Sequence, residues 1–509
     1  MINGDTIYTD DVKQIGIIGG GTAGYLTALS FKKIKSDIEV SLIESSQIPV
    51  IGVGEATTPI LLKLLHEILE IDIQEFHLST HPTWKLGIKY EWGKPGSYYF
   101  NNPFGRLDSL LALKTTGKIN DSSLISTLMD KNRTILFNGA KDEEVKMAHY
   151  PDAFAYHLEN RSFVQYLKNL AEKFQVKYLD RKIENVSRQG NQIEYLITDQ
   201  GEKLEFDLYV DCSGFYSVLC NNETNPFISF ESSLFTDSAV IGVEPHENEI
   251  NVYTTAKTMN CGWQWEIPVE ESNHVGYVFS SKHCSEDEVR DEMLKAKPNL
   301  ELKDGIKRFK PGRRQKFWDG NVISIGNAYG FVEPLESTGI HMIASEIMEL
   351  IHKLQKDVIT PEVKDQINAT IGNQWDIIRW YLAIHFKYNK KLDTPFWIDC
   401  RDKVDVSGVQ DYLDFYKANG PVTIQKNTAV FDKINKDNIF SAYGFDLFML
   451  AQDVPTEFAF DNFTEEEIKS FKMQVLINNH LSEKALSMSE SLKAVINTPD
   501  LLRLNGWFN

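Results

Sequence analysis

The 509-residue chain has no apolar run long enough to span a bilayer, no C-x-x-C pair, no internal repeat and no low-complexity tract. The first absence excludes a transmembrane helix. The five cysteines, Cys212, Cys220, Cys261, Cys284 and Cys400, are odd in number and far apart. They point to a reducing compartment and away from a disulfide framework or a zinc site. Positive charge is scarce: 53 Lys and Arg stand against 72 Asp and Glu, a net charge of -19. That excludes nucleic acid or an anionic membrane as the main partner. The opening Met-Ile-Asn-Gly-Asp-Thr carries no basic-then-apolar signal pattern, so a cytoplasmic protein without a metal site is expected. What is present is an ordinary globular balance, 42% hydrophobic and 25% charged, in a chain too long for one simple core.

The most informative stretch begins at Ile15. Ile15, Ile17 and Ile18 read as a buried parallel strand, and Gly19, Gly21 and Gly24 follow on the spacing G-x-G-x-x-G. Tyr25 to Lys33 then reads as a helix. Such a strand–turn–helix aims free backbone amides at a pyrophosphate. A second apolar run, Ile38 to Ile43, ends in Glu44, about where a ribose-binding acid belongs. A nucleotide site is therefore expected. Further on, Gly52 and Gly54 form a loop expected to lie over the cofactor. A helix should start near Thr57 to Pro59, with Thr57 or Thr58 as its cap and Pro59 in its first turn.

Alternation from Thr83 to Trp92 predicts one strand, with Lys85, Gly87 and Lys89 on one face and Trp84, Leu86, Ile88 and Tyr90 on the other. A strand lysine is ordinarily solvated. An aromatic cluster, Tyr98 to Gly105, follows and includes Phe104. Residues 106–150 read as an excursion of helices and loops, and Arg161 to Phe174 as an amphipathic helix. Val176–Leu179, Ile183–Val186 and Ile193–Ile197 read as a small sheet. Leu204 to Asp211 and Asp319 to Asn327 read as further strands. In Trp263-x-Trp265-x-Ile267-Pro268, period-two spacing puts both indoles on one strand face, where they could wall off a reactive centre. Apolar positions from Ile340 to Leu354 have helical spacing. Ser337, Thr338 and Gly339 then form a helix N-terminus fit for an anion, with the Glu336 carboxylate beside it. A coarse boundary is expected near 345, dividing 1–345 from a mainly helical 346–509.

Taken together, Gly19-x-Gly21-x-x-Gly24, Gly52-Val-Gly-Glu-Ala-Thr57, Trp84-Lys85, Trp263-x-Trp265-x-Ile267-Pro268 and Phe331-Val-Glu-Pro-Leu-Glu-Ser-Thr-Gly-Ile340 resemble the flavin-dependent halogenases of the tryptophan-halogenase type. The similarity runs on through Asp393-Thr-Pro-Phe-Trp397 and weakens after about 420. The resemblance implies an α/β fold: a Rossmann-type FAD-binding domain of the flavin monooxygenase kind with an inserted sheet, and a helical substrate-covering part. It implies reduced FAD taken from a separate flavin reductase, then O2 and chloride or bromide converted to hypohalous acid, and transfer of the halogen to a small electron-rich aromatic. By the same resemblance Lys85 holds the halogenating species, as hypohalous acid or as an N-haloamine, and Glu336 polarises it or takes the ring proton. Thr338 and Gly339 match the halide site. Gly20, Thr22, Ala23, Ile48, Ala56, Ile183 and Ile340 match FAD contacts, Phe104 a substrate-stacking ring, and Trp263 and Trp265 a wall between substrate and flavin. A homodimer is implied at family level only.

Two features depart from the family pattern. Asn101, Asn102 and Pro103 stand where those enzymes carry a histidine. Ile439 to Leu450 lacks the tyrosine pair and glutamate that hold the ammonium and carboxylate of free tryptophan. Indole, a substituted indole, a phenol-like compound or a larger substrate is therefore expected, with indole or an indole derivative foremost. The alternatives are an aromatic-hydroxylating flavin monooxygenase and a non-catalytic FAD-binding protein.

Overall fold

The structure, a computed structural model, describes residues 6–48, 54–105, 109–138, 145–147, 152–246, 249–425, 427–459, 463–498 and 501–504. Gln14–Ile18 sits inside a six-stranded sheet. The order is Lys177–Asp180, Glu39–Glu44, Gln14–Ile18, Leu208–Asp211, Val322–Ser324, Trp318–Asp319. The first five run parallel and only the last is antiparallel. Buried on both faces, these strands need apolar side chains at nearly every position, and Ile15, Ile17, Val40, Leu42 and Val210 supply them. The helix Thr22–Ile34 returns the chain from Ile18 to Glu39, the crossover a parallel pair requires. The amphipathic helix forms at Asn160–Lys173 and leads into Lys177–Asp180. That strand therefore joins the parallel sheet, with Tyr178 opposite Leu42, not the small sheet expected for it. The small sheet consists of Ile183–Gln189, Gln192–Thr198 and Lys203–Leu204.

A second, eight-stranded sheet runs through Ser238–Glu244, Asn273–Phe279, Gly262–Pro268, Thr254–Met259, Gly87–Glu91 and Phe100–Pro103. A third of three strands places Ala155–Glu159 between Gly54–Ala56 and Thr83–Lys85. The expected single strand at 83–92 is thus two strands in two sheets. Leu86 breaks the alternation because its N–H donates to Val252 O and its carbonyl accepts from Phe104 N. The runs at 204–211 and 319–327 are likewise interrupted by turns.

Residue 345 lies inside the helix Thr338–Leu354, so no linker marks the boundary expected there. The 27-residue helix Pro361–Lys387 packs back on the first part: Trp318 N donates to Asn368 Oδ1 at 2.7 Å and Arg313 pairs with Asp376 at 2.7 Å. One hydrophobic cluster spans both parts. The thiols differ from expectation as well. Cys261 and Cys284 form a disulfide, brought together because the Cys261 turn and the segment after Asn273–Phe279 meet at one sheet end. Among the described residues no group of His, Cys, Asp and Glu could hold a metal ion, and no helix is long and apolar enough to cross a membrane.

Candidate active site

At the nucleotide end, Gly21 caps the helix Thr22–Ile34 without any side-chain hydrogen bond, leaving its first amides free for a ligand. Gly19 turns the chain at φ +116°, a conformation that disfavours a side chain. A Cβ on Gly20 would lie 1.4 Å from Glu44 Oε2, whereas one on Gly21 would meet nothing within 4 Å. The backbone at Gly21 therefore faces open space, a cradle that a phosphate can approach. Thr22 Oγ1 donates to Asn160 Oδ1 at 3.1 Å. Glu44 closes the second strand as expected, accepting from Tyr25 Oη at 3.1 Å and from Lys168 Nζ at 3.2 Å. Ile48 is exposed in the turn after it, and Ile183 opens the small sheet two residues beyond Arg181, whose N–H donates to Glu44 O. Ala56 and Ile340 are buried and Ala23 half-buried. Gly52 lies outside the described residues.

The helix expected near Thr57 begins at Pro59 with Thr58 as its cap. Its approach carries the carbonyl of Thr57 to Lys85. The three-stranded sheet holds Lys85 so that Nζ donates to Thr57 O at 3.0 Å and to Ser337 Oγ at 2.7 Å. Lys85 is fully buried, not solvated, and burial lowers its ammonium pKa from 10.5 to about 7 against an opposing pull from Glu336. The sequence left that balance open; in the structure desolvation wins. The same charge and burial depress His341, which drops to about 4 and whose Nδ1 meets Thr58 Oγ1 at 2.7 Å.

Ser337 has φ +58°, in the left-handed region, and this strained turn delivers Glu336 and the helix N-terminus to one place. Thr338 Oγ1 is buried there without a hydrogen-bond partner, and a Cβ on Gly339 would meet nothing within 4 Å. Glu336 accepts from Tyr90 Oη at 2.7 Å and from Asn102 Nδ2 at 3.2 Å, and His385 Nε2 lies 2.8 Å from its Oε1. A cavity of about 430 Å³ opens on Glu336, lined also by Ile88, Asn102, Phe104, Tyr381 and Phe440. The Phe104 ring centroid is 5.1 Å from Lys85 Nζ.

The Trp263 and Trp265 rings lie side by side with centroids 6.1 Å apart, both buried. Trp263 Nε1 donates to Glu333 Oε2 at 2.5 Å, and Thr236 Oγ1 to Glu333 Oε1 at 2.9 Å. Burial raises the Glu333 carboxyl to about 7. The wall thus has a carboxyl anchor that sequence reasoning missed.

Two more functional groups escaped the sequence. Tyr90 was expected on the face opposite Lys85; the break at Leu86 turns it toward Glu336. His385 sits 49 residues beyond Glu336 on a long helix with no local motif.

The tryptophan halogenase family model matches residues 14–457. A tryptophan 7-halogenase, RebH from Lentzea aerocolonigenes, is 31% identical over 444 residues, covering 80% of this chain and 82% of that protein. Among solved structures, MibH, a lanthipeptide tryptophan 5-halogenase, is 37% identical with a TM-score of 0.90, covering 97% of this chain and 95% of that one. BrvH, a flavin-dependent halogenase from Brevundimonas sp. BAL3, is 25% identical with a TM-score of 0.81 over 95% of this chain and 99% of that one.

Proposed function

The chain belongs to the tryptophan halogenase family, and from that premise we propose that it halogenates indole or an indole derivative other than free tryptophan. The observation that carries this is the wholly buried Lys85, bonded to Ser337 beside a hydrogen-bonded Glu336 that lines the cavity. Enzymes of this family are flavin-dependent: reduced FAD, delivered by a separate flavin reductase, supplies with O2 the oxidant that turns chloride or bromide into hypohalous acid.

The residues present fit that cofactor. Open backbone at Gly21, free amides of the first helix and Glu44 at the next strand tip would hold its pyrophosphate and ribose. Gly20, Thr22, Ala23, Gly24, Ile48, Ala56, Ile183 and Ile340 complete the cofactor set by family correspondence. The backbone of Thr338 and Gly339, at the positive end of the Thr338–Leu354 helix, would hold the halide. Lys85 receives hypohalous acid through its ammonium or, since burial favours the neutral form, through its amine. The aromatic carbon attacks the halogen, and the Glu336 carboxylate takes the ring proton. Phe104 presents an aromatic face to the substrate. Trp263 and Trp265 keep the substrate from the flavin and so suppress its direct oxygenation.

The substrate reading rests on the cavity lining. Ile439, Phe440, Tyr443, Gly444 and Leu447 give it an apolar wall. Among the described residues, its charged lining residues besides Glu336 are Lys63 and Asp152, both exposed, where an ion pair with an amino-acid zwitterion adds little. A tryptophan side chain within a peptide is the second reading, favoured by the likeness to MibH over nearly the whole of both chains. The same reading takes the enzyme to be cytoplasmic, beside its reductase, and a homodimer. A panel of indole, 3-substituted indoles, a tryptophan-containing peptide and free tryptophan, run with reductase, NADH, O2 and bromide, tests the substrate. Preferential bromination of free tryptophan would overturn it.

A further inference from the structure

His385 lies on the helix Pro361–Lys387 and is wholly buried. Its Nδ1 is 2.6 Å from Tyr381 O, and a carbonyl only accepts, so Nδ1 carries a hydrogen. Its Nε2 is 2.8 Å from Glu336 Oε1. A neutral imidazole with hydrogen on Nδ1 presents a lone pair at Nε2, and a carboxylate presents only lone pairs. At 2.8 Å the two would repel. One proton therefore sits between them, on Nε2 or on Oε1, and in both cases the pair is neutral overall. The Phe448 ring centroid is 3.5 Å from the imidazole, and the rings of Tyr381 and Tyr90 lie at 4.7 and 5.8 Å. This aromatic cage excludes water from the shared proton.

We propose that His385 is a positioning residue that shares the proton of Glu336, so that Glu336 can act as the carboxylate that accepts the ring proton. The inference rests on the halogenase reading for the identity of that ring proton. The aromatic carbon forms its bond to the halogen of hypohalous acid, and the O–X bond breaks with its electron pair on oxygen. The C–H bond then breaks, its pair returns to the ring, and the proton goes to Glu336. The pair now holds two protons and passes one to the hydroxide, which leaves as water. The sum is HOX plus arene giving haloarene plus water, with one proton again shared by Glu336 and His385.

The groups facing the pair are few. Lys85 comes from the strand Thr83–Lys85 and Tyr90 from Gly87–Glu91. Tyr381 shares the helix of His385, and His341 belongs to the helix that Glu336 precedes. The helix Ser441–Ala451 contributes Phe448, while its buried Asp446 is turned away to Tyr412 and Thr423.

Selective 15N-histidine labelling of the full-length enzyme tests the shared proton, with His385→Gln identifying the resonance. His385 Nδ1 should show a protonated-nitrogen shift, and a strongly downfield proton should be lost in Glu336→Gln. An unprotonated Nδ1 overturns the proposal. Kinetically, His385→Gln should lower kcat for bromination about 10- to 100-fold, within what general acid–base effects supply, and leave the indole KM within about twofold. With the hydrogen-bonded imidazole gone, the acid limb of the kcat–pH profile should move to higher pH. A wild-type profile in His385→Gln overturns the proposal too. If the wild type made no brominated arene, the halogenase reading would fail, and the nitrogen shift would still decide the shared proton.

Discussion

Replacing Lys85 by Met should stabilise the protein at pH 6.5 and cease to do so at pH 9.5. Burial brings the ammonium from 10.5 to about 7. That shift corresponds to about 5 kcal/mol against the charged form. The folded pKa lies below the unfolded one, so between pH 7 and 10.5 the unfolded chain holds more protons and wild-type stability rises with pH. The cost of Lys85 is therefore complete below pH 7 and falls by about 1.4 kcal/mol per pH unit above it, most of it gone by pH 9.5. Met removes that cost but orphans the Thr57 carbonyl that Lys85 Nζ binds, about 1–3 kcal/mol. The variant should come out about 2–4 kcal/mol more stable at pH 6.5 and close to or below wild type at pH 9.5. Urea denaturation of both proteins, followed by tryptophan fluorescence at each pH, measures the difference. A difference that does not change with pH, or a variant less stable at pH 6.5, would show that Lys85 is not the desolvated group described here. Halogenation should be lost in the variant at every pH.

Glu336→Gln should lower kcat for bromination by about 10²- to 10⁴-fold with the flavin still bound, since it removes the acceptor of the ring proton. Gly20→Ala should weaken FAD binding about tenfold or more, because a Cβ there overlaps the Glu44 carboxylate; an unchanged Kd by flavin fluorescence titration contradicts this. Glu333→Gln should gain on wild type as pH rises. The Glu333 carboxyl is raised to about 7, so the folded chain keeps its proton longer than the unfolded one and wild-type stability falls between pH 4.5 and 7. The gain should reach about 3 kcal/mol by pH 8, read by denaturation.

The parts of the fold that were legible were those whose signals are local. The turn at Gly19, the cap at Thr58 with Pro59, and the apolar face of Thr338–Leu354 depend on neighbours within a few residues, and each formed within a residue or two of its expected place. Lys85 and Glu336 came from motif resemblance; their burial and partners did not. Tyr90 was put on the wrong side because alternation assumes an unbroken strand, and the break at Leu86 depends on hydrogen bonds to Val252 and Phe104. His385 and Glu333 reach their partners across long chain separations, which leave no trace in spacing. Cys261 and Cys284, 23 residues apart, pair only because two strands bring them together.

The central claim is that this site joins a halogen to an aromatic carbon through Lys85 and Glu336. The most direct measurement is product mass with purified enzyme, flavin reductase, NADH, FAD, O2, indole and bromide, beside the same reaction without bromide and with Lys85→Ala. The expected result is a monobromoindole with the bromine isotope pair, absent without bromide and absent with the variant. An oxygenated indole formed without halide, or bromination that persists in Lys85→Ala, would contradict the account.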